Sequence, residues 1–257
     1  MVEGSAEGRG VGGDGLGAVG RARAEERRIT GFTRTRMSAP HGLMKLRALP
    51  RSFYDRDPRL VGPDLLGKIL VRRQGRRLLT GRIVEVEAYL GADDLAAHSS
   101  AGKTKRNAVL FGPPGYAYVY FIYGNHYCLN VSCLPDGTPG GILFRALEPL
   151  RGIEEMFKLR GMATDSDPRR LTSGPGRLAA AFGITREVDN SKDLTSSRSD
   201  LHIADDGSAP PSVLITKRIG ITKAADMPLR YIVAGNRFVS GRNQKLLTAE
   251  NAEKHFK

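Results

Sequence analysis

The stretch from Lys68 to Leu90, KILVRRQGRRLLTGRIVEVEAYL, limits the fold more than any other. Two strand-like runs are separated by Gln74-Gly75, a dipeptide suited to a tight turn. They predict a hairpin whose second strand is long, and so short a connection makes the pairing antiparallel. The pattern recurs further on. YAYVYFIY reads as a strand, Gly124-Asn125 as a two-residue hairpin turn, and HYCLNVSCL as the partner strand. Asp136-Gly137 and Gly140-Gly141 mark further turns before ILFRAL, another strand, and SVLITKRIGI and LRYIVAG supply two later ones.

Helical signals are fewer and shorter. Asp57-Pro58 followed by RLVGPDLLG reads as a capped helix closed by Gly67. Pro149 opens a second helix through Leu159, supported by Glu154 and Lys158 at i,i+4 and closed by Gly161. Ser173-Gly-Pro-Gly leads into RLAAAFGI, a third. Residues 92–115 read as a loop. Strands and helices do not alternate, so the fold class expected is α+β. It is a single domain with a mainly antiparallel curved β-sheet, peripheral helices and a protruding β-hairpin. Residues 1–44 are rich in glycine and arginine and lack hydrophobic period, which predicts a disordered tail before a domain at 45–257. Met37 and Met44 lie within that tail, so its upstream part reads as an over-extended start.

Charge narrows the function. The net charge of +13 and pI near 10.0 favour a polyanionic partner. No apolar run approaches the ~20 residues of a membrane span, and the N-terminus carries no apolar secretion signal. Cys128 and Cys133 lie in one predicted strand with side chains on opposite faces, which argues against a disulfide between them and for free thiols in a reducing cytoplasm.

The chemistry-bearing residues cluster in the two hairpins. Glu85, Glu87 and Tyr89 share one strand face and Val84, Val86 and Ala88 the other. Taken alone, this is first a solvated acidic face and second a pair of carboxylates for glycoside hydrolysis. Tyr118 and Tyr120 share a face, and Tyr123 sits at the lip of the Gly-Asn turn. These are ordinary strand aromatics, or, in a basic protein, the parts of a wedge that fills the gap left by an extruded nucleotide. His98 follows Asp93-Asp94, but the spacing of a strong metal motif is absent, and no metal or organic cofactor is expected.

EAYLG..D.AAHS, RN...FG.PG..YVY.IYG..YCLN, LFRALEPL, LTSGPG.L and PLRYIV, in that order, closely resemble the alkyladenine (3-methyladenine) DNA glycosylase family over about residues 50–240. The resemblance implies a monofunctional, monomeric base-excision enzyme that flips alkylated, and in some members deaminated, purines out of double-stranded DNA. It then hydrolyses the N-glycosidic bond to leave an abasic site. Glu87 matches the glutamate that activates water, and Arg145 the arginine beside it. Tyr89, His98, Tyr120 and Asn130 match the base pocket, with Asn130 excluding the exocyclic amino group of guanine. Tyr123 matches the intercalating aromatic. Arg145 beside Glu87 would hold that carboxylate ionised. For the phosphate footprint, Ser173 and Gly174 offer amides before a helix, and Arg106, Arg177, Lys217, Arg218 and Lys223, with Lys103 and Lys105, are candidate cations. Two rivals stand beside this reading. One is a non-catalytic binder of distorted nucleic acid, which needs no Glu87–Arg145 pair. The other is a carbohydrate-directed glycosidase, disfavoured by the basic charge and the lack of tryptophan.

Overall fold

The computed structural model describes residues 46–241. The predicted tail at 1–44 and the C-terminal LLTAENAEKHFK lie outside the described residues. The chain runs through β1 (Arg47–Ala48), α1 (Arg51–Tyr54), α2 (Pro58–Leu65), β2 (Ile69–Gln74) and β3 (Arg77–Tyr89). A 3-10 turn (Ala108–Phe111), β4 (Ala117–Ile122), β5 (His126–Ser132) and β6 (Gly141–Arg151) follow. Then come α3 (Ile153–Leu159), α4 (Arg169–Thr172), α5 (Pro175–Ala181), α6 (Arg186–Asp189), β7 (Leu201–Asp205), β8 (Val213–Thr216) and β9 (Arg230–Val233). All strand pairings are antiparallel, in the order β1-β7-β2-β3-β6-β5-β4, with β9 joining β3 to β8. This is the expected α+β fold, with a curled sheet and short helices around it.

β3 is the axis. Its first half pairs with β2, Glu85 to Glu87 pair with β9, and its other edge pairs with β6 from Thr80 to Tyr89. The β3–β6 ladder shifts register on both sides of Glu85: Ile83 faces Leu147, Glu85 faces Ala146 and Val86 faces Phe144. One residue on each strand, Val84 and Arg145, is therefore left out of the pairing, and the two bulges compensate. A bulge bends a strand and re-aims the side chains beside it. Val84 accordingly packs with Ala146 and Phe238, while Val86 and Ala88 enter the main core with Leu70, Phe144 and Phe182. The simple alternation expected for Val84, Val86 and Ala88 thus breaks at the first of them.

One face of the sheet carries that core. On the other, a smaller cluster joins Leu110, Tyr118, Tyr120, Cys128 and Leu143. Strict alternation along β4 makes this separation: Ala117 and Val119 point to the core, Tyr118 and Tyr120 away from it. Cys128 and Cys133 fall on these opposite sides as free thiols.

Several local expectations are corrected. The helix drawn from Pro149 starts at Ile153, because β6 continues through Arg151 in register with Thr80. Gly152 breaks the strand at φ 77, and Lys158 pairs with Glu155 rather than Glu154. The hairpin loop spans three residues, Tyr123 to Asn125, since Ile122 faces His126. SVLITKRIGI is a strand only to Thr216, beyond which Arg218 turns inward to a buried carboxylate. α2 is capped as expected, with Asp57 accepting from the Arg59 amide at 2.7 Å.

Gly91, which ends the EAYLG motif, has φ 94, and a Cβ there would lie 2.0 Å from the Pro139 carbonyl oxygen. Backbone cannot move as a flexible side chain can, so Gly91→Ala is expected to cost about 2 kcal/mol or more, measured by urea unfolding. A loss below about 0.5 kcal/mol would show that the loop adjusts freely.

Candidate active site

A cavity of about 490 Å³ opens on the tyrosine face of the sheet. Tyr89, His98, Tyr118, Tyr120, Asn130 and Arg145 line it, with Tyr123 at the same opening. Alternation on β4 supplies Tyr118 and Tyr120, and the end of β3 supplies Tyr89. His98 comes from the following loop, where its ring meets Tyr120 edge-on at 4.4 Å and its Nδ1 lies 3.0 Å from the Tyr118 hydroxyl. Burial, with help from Arg106, pulls the His98 pKa below its ordinary value, so the imidazole is neutral at neutral pH. Burial pushes the Tyr89 and Tyr120 hydroxyls up, so both remain phenols.

Glu87 lies directly behind this wall, fully buried. One carboxylate oxygen accepts from the Tyr89 hydroxyl at 2.9 Å and the other from the Ile219 amide at 2.9 Å. Arg145 Nη1 approaches that second oxygen at 3.2 Å. Both Tyr89 and Arg145 reach the cavity, so the carboxylate is one group away from its space. Arg145 does act to lower the Glu87 pKa, as expected, but desolvation outweighs it and the pKa lies above the ordinary carboxylate range. The arrangement is that of a strengthened base rather than of a permanently ionised anion.

Asn130 is buried on β5 and donates to the Tyr118 carbonyl at 3.2 Å, which fixes its amide at the cavity wall. Tyr123 is the most exposed large hydrophobic among the described residues, at 79%, and holds φ 55 in the hairpin loop. A left-handed tyrosine is an uncommon backbone state, retained where the surroundings or a function demand it.

Arg218 is a correction. Its side chain is fully buried, with Nη1 and Nη2 on the two Asp94 oxygens at 2.5 and 2.9 Å, and it lies 4.7 Å over the Tyr89 ring. It braces the pocket from behind and is not available to a phosphate. Ser173 and Gly174 are corrected too. Their amides already donate to Arg169 and Arg145 carbonyls, and the Ser173 hydroxyl donates to the Phe238 carbonyl. Of the other cations, Arg106 lies at the hairpin by the Phe121 carbonyl, Arg177 lines the cavity mouth, and Lys217 pairs on the surface with Asp226. Lys103, Lys105 and Lys223 are exposed.

Some residues escaped the sequence reading. Asn107 holds the His98 loop, donating to the His98 carbonyl at 2.8 Å and to Gly102 while accepting from the Thr104 amide. Ile219 reaches Glu87 from 132 positions away, which no local pattern announces. Asp94 and His98 are engaged with Arg218 and Tyr118, so the conceivable Asp93–Asp94–His98 metal cluster does not assemble. Among the described residues no group of three His, Cys, Asp or Glu side chains is placed to hold a metal, and no helix is long and apolar enough to cross a membrane.

Residues 52–237 match the family model described as methylpurine-DNA glycosylase. A protein of Koribacter versatilis is 67% identical over 200 residues, 78% of this chain and 96% of that protein. A protein of Burkholderia lata is 53% identical over 194 residues, 75% of this chain and 91% of its own length. One from Methanoculleus marisnigri is 49% identical over 199 residues, 76% and 99%. All three carry the name of a 3-methyladenine DNA glycosylase. The glutamate-backed aromatic cavity described above thus lies wholly within the matched residues, and the chain belongs to the methylpurine-DNA glycosylase family, enzymes that act on alkylated bases in DNA.

Proposed function

We propose that this chain, acting as a monomer in the cytoplasm, excises 3-methyladenine and related alkylated purines by swinging the damaged nucleotide out of the duplex. The observation that carries the reading is the buried Glu87 carboxylate set behind an aromatic cavity whose mouth bears an exposed tyrosine. Glu87 takes a proton from the water that attacks the sugar C1′, and Arg145 steadies the charge beside it. N3- and N7-alkylated purines are cationic, so they are drawn to the faces of Tyr89 and Tyr120 by about 1–2 kcal/mol when desolvated. Such bases also leave without a strong acid, which suits a pocket whose His98 is neutral. Asn130 at the wall excludes normal guanine by its exocyclic amino group, which hypoxanthine, the deaminated form of adenine, lacks.

Incubating the protein with methylated duplex DNA and assaying free 3-methyladenine tests the reading. A binder without catalysis would retain lesion affinity and release nothing. Tyr123 fills the gap left by the extruded nucleotide, and Tyr123→Ser is expected to weaken lesion-DNA binding about 10-fold and to slow excision, because one aromatic stack is worth about 1–3 kcal/mol. Unchanged affinity and rate in a gel-shift and single-turnover assay would remove Tyr123 from that role. The cations left to follow the phosphates are Arg106, Arg177, Lys103, Lys105, Lys217 and Lys223, and binding should fall steeply with salt.

A further inference from the structure

Glu85 belongs neither to the cavity wall nor to the core. It is fully buried, yet four donors converge on it. Arg145 Nε lies at 3.0 Å, Arg230 Nε at 2.7 Å, the Ser240 hydroxyl at 2.9 Å and the Ser240 amide at 2.5 Å. Arg230 is itself held by the Thr216 hydroxyl at 3.0 Å and the Ser240 carbonyl at 2.7 Å. Arg145 therefore bridges two carboxylates, with Nε on Glu85 and Nη1 facing Glu87. Glu85, Glu87, Arg145 and Arg230, none more than 10% exposed at the side chain, form an electroneutral quartet. Such a set is stable only while every charge is matched.

We propose that Glu85 is the positioning residue that, anchored by Arg230 and Ser240, fixes Arg145 against Glu87 and thereby sets the strength of Glu87 as the base. The inference rests on the reading of Glu87 given above. A solvated strand glutamate would not collect four donors, and a purely structural ion pair would not share its arginine with a second carboxylate. The bulge at Arg145 explains why the link is needed: outside the β3–β6 ladder, its direction is set by side-chain partners rather than by pairing. The charged and titratable groups around Glu87 are few. Glu85 and Tyr89 come from β3, Arg145 from β6, Cys128 from β5, Arg218 from the segment after β8 and Arg230 from β9. Of these, Glu85 raises the Glu87 pKa through its charge and Arg145 lowers it. Loss of the Glu85 charge leaves two guanidiniums facing one carboxylate, so Glu87 becomes a weaker base that ionises at lower pH.

The test is single-turnover release of methylated purines from duplex DNA across acid and neutral pH, with binding to abasic duplex and thermal melting measured in parallel. Glu85→Gln is expected to slow release about 10–100-fold, the effect of a small misplacement of a catalytic group. It should also shift the acid limb of the rate profile to lower pH while abasic-DNA affinity holds. Ser240→Ala removes one anchor but keeps the Glu85 charge. In a protein that folds even where Glu85→Gln does not, it should loosen Arg145, whose charge lowers the Glu87 pKa, and so move the acid limb to higher pH. The expected loss is about 3–10-fold, one hydrogen bond's share. A limb that stays in place in Ser240→Ala, or a loss uniform with pH that tracks melting, overturns the proposal. Glu87→Gln, run alongside, separates the two failures. If it is inactive while the Glu85 and Ser240 variants behave as wild type, only the positioning role falls. If it remains active, the reading of Glu87 falls first.

Discussion

Glu87→Gln is expected to slow release of 3-methyladenine from methylated DNA by about 10²–10⁴-fold, the usual share of a general base. Binding to abasic duplex should stay within about threefold, because uniform binding is untouched by loss of a transition-state interaction. The amide keeps the size of the carboxylate and can still accept from the Ile219 N–H. Stability provides an independent check. The folded pKa of Glu87 lies above its unfolded value because burial disfavours the anion. Its contribution to stability is therefore present in full at low pH and is lost as pH rises through the folded value. Glutamine does not titrate, so the variant should lose this pH dependence of stability, which the wild type keeps. The same pKa sets the acid limb of excision: the rate on cationic lesions falls as pH drops through a value higher than that of an ordinary glutamate. Near-normal release by the folded variant would end the assignment.

Asp94→Ala should be the most destabilising change outside the core. It strands the Arg218 guanidinium, which is fully buried and touches both Asp94 oxygens. Removing one member of a buried pair typically costs about 3–5 kcal/mol, read by urea unfolding at neutral pH. Replacing both partners, as in Asp94→Leu with Arg218→Met, should cost less than the single change, since no charge is left unmatched. Burial alone would raise the Asp94 carboxyl, but the hydrogen bonds and charge of Arg218 hold it below its usual pKa. This share of stability is thus present at neutral pH and is lost as pH falls through the depressed folded value. Activity should fall with it, because Arg218 lies over the Tyr89 ring and donates to the Ala88 carbonyl. A cost below about 1 kcal/mol would mean the pair is solvated in a way its burial denies.

These two variants divide the site into a part legible in the chain and a part that is not. Glu87, Tyr89, His98, Tyr120, Tyr123, Asn130 and Arg145 stand in an ordered string of motifs, and all but Glu87 border the cavity that it backs. The hairpins, the antiparallel sheet and the free cysteines follow from turn residues and two-residue periodicity, which are local properties. Arg218 shows the limit. In sequence it is one more cation in a basic chain, and only its distance of 124 positions from Asp94, closed by the fold, turns it inward. Glu85 is similar. Alternation reads it as a solvated strand residue, and burial by β9, β6 and Ser240 makes it the centre of a charge network. Local rules thus chose strand, turn and face. Long-range packing chose which charges meet, because a buried ion pair depends on partners brought together across the chain and on the exclusion of water between them.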